Sequence, residues 1–88
     1  MRYGTKTTLT AEEVLDRARQ FLGPAGELGL PETSLETGSI TFGDDTGFVN
    51  VRAENVDGVT EVTILSREYD YWAERFLRKL HGPRFGRS

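Results

Sequence analysis

Few side chains in this 88-residue sequence are equipped for chemistry. It has one histidine, His81, and no cysteine, so it offers no thiolate nucleophile, no disulfide and no histidine cluster for a metal ion. His81 stands directly before Gly82, in the predicted last turn of a helix, where a cation complements the helix dipole. We therefore predict that the chain is not an enzyme and needs no cofactor and no metal.

Asp44 and Asp45 stand between two glycines in the segment GDDTG. Neighbouring carboxylates can bind calcium or magnesium, but this segment lacks the D-x-D-x-D-G spacing that surrounds calcium with oxygen ligands. Asp and Gly are also the usual residues of a hairpin connection. The pattern favours a turn over a metal site.

Charge is distributed unevenly along the chain. Residues 27–70 hold ten acidic and two basic side chains, whereas residues 71–88 hold one acidic and five basic ones. The basic side chains of this C-terminal cluster are Arg75, Arg78, Lys79, Arg84 and Arg87. They offer an anion contact, to phosphate or an acidic membrane surface, or form a solvated helix face with a Glu74–Arg78 pair. The net charge of −3 disfavours nucleic-acid binding.

The first of two predicted amphipathic helices covers residues 10–22. Thr10 and Glu13 have the spacing of a capping box, with Leu9 and Val14 placed for a hydrophobic staple. Its apolar stripe consists of Val14, Leu15, Ala18, Phe21 and Leu22.

The second helix is predicted over residues 67–81, with Ser66 as its N-cap and Gly82 as its stop. Tyr71 falls off its apolar stripe and is the aromatic residue expected to be exposed. The stripe consists of Tyr69, Trp72, Ala73, Phe76, Leu77 and Leu80.

Alternating residues predict the strands between the helices. The predicted strands are residues 2–8, 39–42, 48–54 and 59–65, with a short strand near 33–36 left open. Turn sequences at 43–47 and 55–58 join the last three strands as an antiparallel meander. The order β-α-(β)-β-β-β-α predicts an α+β domain, an antiparallel sheet of four to five strands with two helices on one face. We expect residues 1–82 to form this single domain and residues 83–88 to form a flexible basic tail.

The two ends of the chain resemble known folds. The start, RYGTKTTLTAEEVLDRA, is similar to the opening strand and helix of the helix-grip superfamily of START-like domains, and TEVTILSREYDYWAERFLRKL to its closing strand and helix. The whole outline also resembles one repeat of the TATA-binding-protein fold. The helix-grip resemblance implies a groove for a small apolar ligand between the sheet and the last helix. No functional residue of either family is carried over.

One face of the predicted sheet is left without a helix. Phe48, Asn50, Arg52 and Leu65 are predicted to point to this face. An uncovered face with apolar residues among polar ones is typical of interaction surfaces. We expect a homo-oligomer or a protein partner there, with a small apolar ligand in the helix-grip groove as the alternative. Without an apolar run of about 20 residues, we expect a soluble cytoplasmic protein.

Overall fold

The computed structural model describes residues 1–81, which form five strands and two helices. The strands are β1 (Arg2–Thr7), β2 (Glu32–Glu36), β3 (Ser39–Gly43), β4 (Phe48–Val56) and β5 (Val59–Arg67). The helices are α1 (Ala11–Leu22) and α2 (Asp70–His81). The order β-α-β-β-β-β-α confirms the predicted α+β fold, and the short strand that the sequence left open is present as β2.

The five strands lie in one antiparallel sheet, in the order β1-β5-β4-β3-β2. The predicted meander of β3, β4 and β5 is its centre, and β1 and β2 are its edges. Val51 lies opposite Ile40 on β3 and opposite Ile64 on β5. Residues directly opposite one another point to the same face of a sheet, so the apolar positions of neighbouring strands line one common face.

Both helices cover that apolar face, as predicted. The buried residues of the strands and of the helices form one continuous cluster. The helices contribute Val14, Ala18, Phe21, Leu22, Ala73, Phe76 and Leu80, and the sheet Ile40, Phe42, Val49, Val51, Ala53, Val62 and Ile64. Burying a valine, leucine, isoleucine or phenylalanine side chain stabilises the folded state by roughly 1.5–3 kcal/mol. This burial holds the helices and the sheet together as two layers.

Local signals in the sequence correctly predicted the start of α1 and the turn between β4 and β5. The Thr10 hydroxyl accepts a hydrogen bond from the amide of Glu13, and the Glu13 carboxylate accepts one from the amide of Thr10, so the capping box is confirmed. Asp57 and Gly58 have φ angles of 53° and 83°. Those angles suit the two-residue type I′ turn between β4 and β5.

The predicted start of the second helix is wrong by three residues. Ser66 does not cap the helix, because β5 continues through Arg67 and pairs Ser66 with Val49. The Ser66 hydroxyl instead donates a hydrogen bond to the Asp70 carboxylate. The chain leaves the strand through Glu68, whose φ is 70°, and α2 begins at Asp70. Sheet pairing on both sides of Ser66, to β4 and to the Met1 carbonyl, outweighs its tendency to cap.

The predicted flexible tail, residues 83–88, lies outside the described residues. The side chain of His81, predicted to complement the dipole of α2, lies outside them as well.

Replacing Thr10 by alanine removes one half of the capping box. We expect Thr10→Ala to lower the free energy of unfolding by about 1 kcal/mol, measured by urea denaturation. Thr8→Ala is the matched control, because Thr8 is exposed and precedes the helix. Equal stability of the two variants would contradict the role given to the capping box.

Glu68→Gly tests the left-handed backbone between β5 and α2. A non-glycine residue in this conformation costs about 1 kcal/mol, which offsets the similar entropic cost of introducing glycine. We expect Glu68→Gly to stay within about 0.5 kcal/mol of the wild type. Arg17→Gly, at an exposed position in the middle of α1, is expected to lose about 1 kcal/mol in the same denaturation experiment. An equal loss in both variants would contradict the assigned conformation.

Candidate functional site

The uncovered face of the sheet, here called the open face, contains all four residues predicted for it. Asn50 lies opposite Leu65, Phe48 opposite Arg67 and Arg52 opposite Thr63, so the register places them on one side. Phe48, Asn50 and Leu65 are half-buried and Arg52 is exposed. The predicted interaction surface is therefore continuous across the two central strands.

Asn50 ties β4 to β3 on this face. Its side-chain amide nitrogen lies 2.8 Å from the Thr41 hydroxyl, 3.0 Å from the Ser39 hydroxyl and 3.3 Å from the Ile40 carbonyl. Since its donors are used within the sheet, Asn50 positions its neighbours and is a poor candidate for contacting a partner. Sequence reasoning placed Asn50 on the right face but did not predict this bonding.

On β4 and β5, the charges of the open face are separated along the strand direction, whereas Glu36 on β2 lies in the row of Arg52. Arg2, Arg52 and Arg67 lie towards the end of the sheet where β4 begins and β5 ends. Glu54 and Glu61 lie towards the β4–β5 turn, directly opposite one another. Like charges in such a pair repel.

These charges are not neutralised by ion pairs within the described residues. None of the four ion pairs there includes a charged side chain of the open face. Glu61 lies between Glu54 on β4 and Lys6 on β1. Lys6 forms no salt bridge with it. The open face thus keeps separated and unpaired charges of both signs.

A depression of about 550 Å³ crosses the middle of the open face. Its lining combines the separated charges with Leu65 and Thr63. The lining residues are Arg2, Thr37, Gly38, Arg52, Ala53, Glu54, Glu61, Thr63 and Leu65. The sequence predicted the face but not its concavity, which depends on the twist of the sheet and on the β2–β3 turn.

Within the described residues, the C-terminal basic cluster consists of Arg75, Arg78 and Lys79, and all three contact neighbouring side chains. The Arg75 guanidinium lies 5.1 Å from the Trp72 ring centre and 3.4 Å from the Glu27 carboxylate. Lys79 lies 4.9 Å from the Phe21 ring centre. Cations over aromatic faces are held by the ring quadrupole, which favours the interpretation of a stabilised helix face.

Of the three other basic residues in this cluster, one lies within the described residues and two lie outside them. Arg78 lies 4.0 Å from Glu74, at the predicted i,i+4 spacing. Arg84 and Arg87 lie outside the described residues.

The prediction that Tyr71 is exposed is confirmed, since 63% of its surface is accessible.

The groove implied by the helix-grip resemblance would lie between the sheet and α2. Ile64, Ala73 and Phe76, from β5 and α2, are all fully buried in the core cluster. The apolar stripe of α2 therefore packs against the sheet. The small-ligand alternative stays a prediction, and no contact within residues 1–81 favours it.

Asp44 and Asp45 lie in the turn between β3 and β4, as predicted. One Asp44 carboxylate oxygen accepts hydrogen bonds from the amides of Thr46 and Gly47, at 2.9 and 3.1 Å. The other accepts a hydrogen bond of 2.7 Å from the Tyr69 hydroxyl. Among the described residues, no group of three or more His, Asp or Glu side chains could hold a metal ion.

The contact between Asp44 and Tyr69 connects the turn to the start of α2. The Tyr69 hydrogen bond, followed by the Gly47 amide, lowers the pKa of Asp44 below its ordinary value of 3.8. The same hydrogen bond raises the pKa of Tyr69 above its ordinary value of 10.0. Sequence reasoning missed this contact, because the partners are 25 residues apart and no local pattern joins them.

No helix within residues 1–81 is long and apolar enough to cross a membrane. No protein-family model matches the chain, and no curated protein and no solved structure matches it significantly. The interpretation of its surfaces therefore depends on its own geometry.

The Asp44–Tyr69 contact predicts a pH dependence of stability. A carboxyl whose pKa is lowered by folding stabilises the fold above its unfolded pKa, and this contribution is lost as the pH falls through the folded value. The melting-temperature difference between wild type and Asp44→Asn should be constant near neutral pH and should shrink below about pH 4.

Asp45→Asn is the matched control for this pH profile, because its exposed carboxylate accepts no hydrogen bond among those in the described residues. It is expected to keep the wild-type profile. A difference between wild type and Asp44→Asn that persists unchanged to pH 2 would contradict a role for the Asp44 charge.

Proposed function

We propose that the chain is a non-enzymatic domain that forms a homodimer through its open face. The observation that carries the proposal is the separation of unpaired charges along β4 and β5, with Arg52 next to Glu54 on the same side of β4. Such an arrangement is self-complementary, since a two-fold axis brings unlike charges together. It also gives a reason for Glu54 and Glu61 to lie side by side.

The strand register suggests where the axis would pass. A two-fold axis in the plane of the interface, perpendicular to the strands and between Arg52 and Glu54, superposes β4 of one copy on β4 of the other. Arg52 of each copy then faces Glu54 of its partner. In the same arrangement Leu65 of each copy approaches Val59 of its partner, which is 36% exposed. Each contact occurs twice, as a two-fold interface requires.

The size of the face sets the expected affinity. Five strands spaced about 4.8 Å apart give a face roughly 20 Å wide. Such a face falls at the small end of specific interfaces, and its half-buried side chains contribute only part of their area. A dissociation constant in the micromolar range is the expected outcome.

Opposite charge reversals test the proposed pairing. Sedimentation velocity over about 1–500 µM protein should show a monomer–dimer equilibrium for the wild type. Arg52→Glu places like charges against the partner's Glu54, and Glu54→Arg does so against the partner's Arg52. Each variant alone should dimerise at least about tenfold more weakly, because like charges in an interface are costly. An equimolar mixture of the two variants should dimerise again, because each then faces an opposite charge.

Arg17→Glu is the matched control, since it reverses an exposed arginine on α1, away from the open face. It is expected to dimerise like the wild type. A wild-type protein that stays monomeric over this range would contradict the proposal. So would single variants that dimerise normally, or a mixture that does not associate.

A further inference from the structure

The outer edge of β2 is a second surface, with a chemistry different from that of the open face. β2 ends the sheet, and in the described part of the chain no strand pairs with its outer side. All five of its residues are exposed, and Leu35 is 56% exposed. An unpaired edge presents free amide and carbonyl groups to which another strand can add.

Leu35 offers both its side chain and its backbone at this edge. Thr37 and Gly38 form the turn to β3, and Glu36 and Ser39 close it as a pair. Antiparallel pairs alternate between hydrogen-bonded and non-hydrogen-bonded. Since the pair that closes a two-residue turn is hydrogen-bonded, the next pair, Leu35 and Ile40, is not. The Leu35 amide and carbonyl therefore point away from β3, towards the free edge.

A groove of about 670 Å³ runs beside this edge, between β2 and α1. It has an apolar floor in Leu15 and Leu35 and an acidic wall on α1. The lining residues are Thr10, Glu12, Glu13, Leu15, Asp16, Arg19 and Leu35. Arg19, its only basic residue, is already paired with Glu32 at 3.0 Å. What remains is an apolar groove with uncompensated negative charge.

We propose that this edge binds an extended segment of another protein by strand addition to β2. On the face of the segment turned to the groove, an apolar residue has basic residues two positions away. The partner's backbone would bond to the Leu35 peptide groups, and an apolar side chain would lie beside Leu35 and Leu15. Its Arg or Lys side chains, two residues away and therefore on the same face, would meet Glu12 and Asp16 on α1.

The acidic charge decides between this occupant and a second β2 strand. A second β2 strand would bring a second α1, with the same acidic Glu12 and Asp16, alongside the first. Like charges brought together in an interface are costly. A basic segment relieves this repulsion, so charge complementarity selects a partner of opposite sign.

A fluorescein-labelled peptide in which arginine, valine and arginine occupy every second position, with threonine between them, serves as the probe. Binding is measured by fluorescence anisotropy. The peptide should bind in the micromolar range, and more weakly as salt rises. An otherwise identical peptide with alternate backbone nitrogens methylated should bind at least about tenfold more weakly, because it cannot add a strand. Equal binding of both peptides would overturn strand addition.

Leu35→Lys tests the location without threatening the fold, because lysine is well tolerated on exposed edge strands. It adds a positive charge and removes the apolar contact, and should weaken binding at least about tenfold. Tyr71→Lys, at a similarly exposed apolar residue on α2, is the matched control and should bind as the wild type does. Equal binding by both variants would place the peptide elsewhere and overturn the proposal.

The Arg52→Glu variant separates this site from the proposed dimer. Its peptide affinity should equal that of the wild type, since the open face is not involved. Sedimentation of the wild type also tests self-assembly through the edges. Growth beyond dimers that Leu35→Lys abolishes would show that β2 binds a second copy instead, and would overturn the proposed occupant.

Discussion

The side chains of a strand alternate between the two faces of its sheet, and this alternation is the constraint on which the whole structure depends. Val49, Val51 and Ala53 on β4 must lie on the same side as Val62 and Ile64 on β5, because the register pairs them. Both helices have one apolar stripe and pack on that side. The opposite face is left uncovered for the same reason, so the core and the open face have one cause.

The sequence predicted the features that depend on local or periodic patterns. Thr10 and Glu13 lie three residues apart, and Asp57-Gly58 is a local turn signal, so both could be recognised without the fold. The open face could be predicted because alternation in β4 and β5 also identifies the residues that are not buried. The turn role of Asp44 followed from the residues around it.

The missed features depend on contacts between distant segments. Ser66 has a good residue type for a cap, but its pairing with Val49 and the Met1 carbonyl keeps it in β5. The hydrogen bond from Tyr69 to Asp44 joins two elements that no local pattern connects. The charge pattern of the open face also needs the register, since only the register shows that Glu54 lies opposite Glu61.

The surfaces left outside the core differ in chemistry. On β4 and β5 of the open face, charges of both signs are separated along the strands and suit a second copy of the chain. At the β2 edge, acidic groups dominate beside an exposed Leu35 and suit a basic partner. On the exposed side of α2, Arg75 and Lys79 lie against aromatic rings, so these cations are partly satisfied within the domain. Charge distribution therefore distinguishes surfaces that hydrophobicity alone would not.

The most direct test of the central claim is an isotope-filtered NOE experiment on a mixture of ¹³C-labelled and unlabelled protein at about 1 mM, well above a micromolar dissociation constant. Such spectra detect contacts between copies only. We predict intermolecular NOEs from the methyl groups of Leu65 to those of Val59 and from the Phe48 ring to side chains of the open face. Intermolecular NOEs confined to helix residues, or none at this concentration, would contradict the claim that the open face is the surface of self-association.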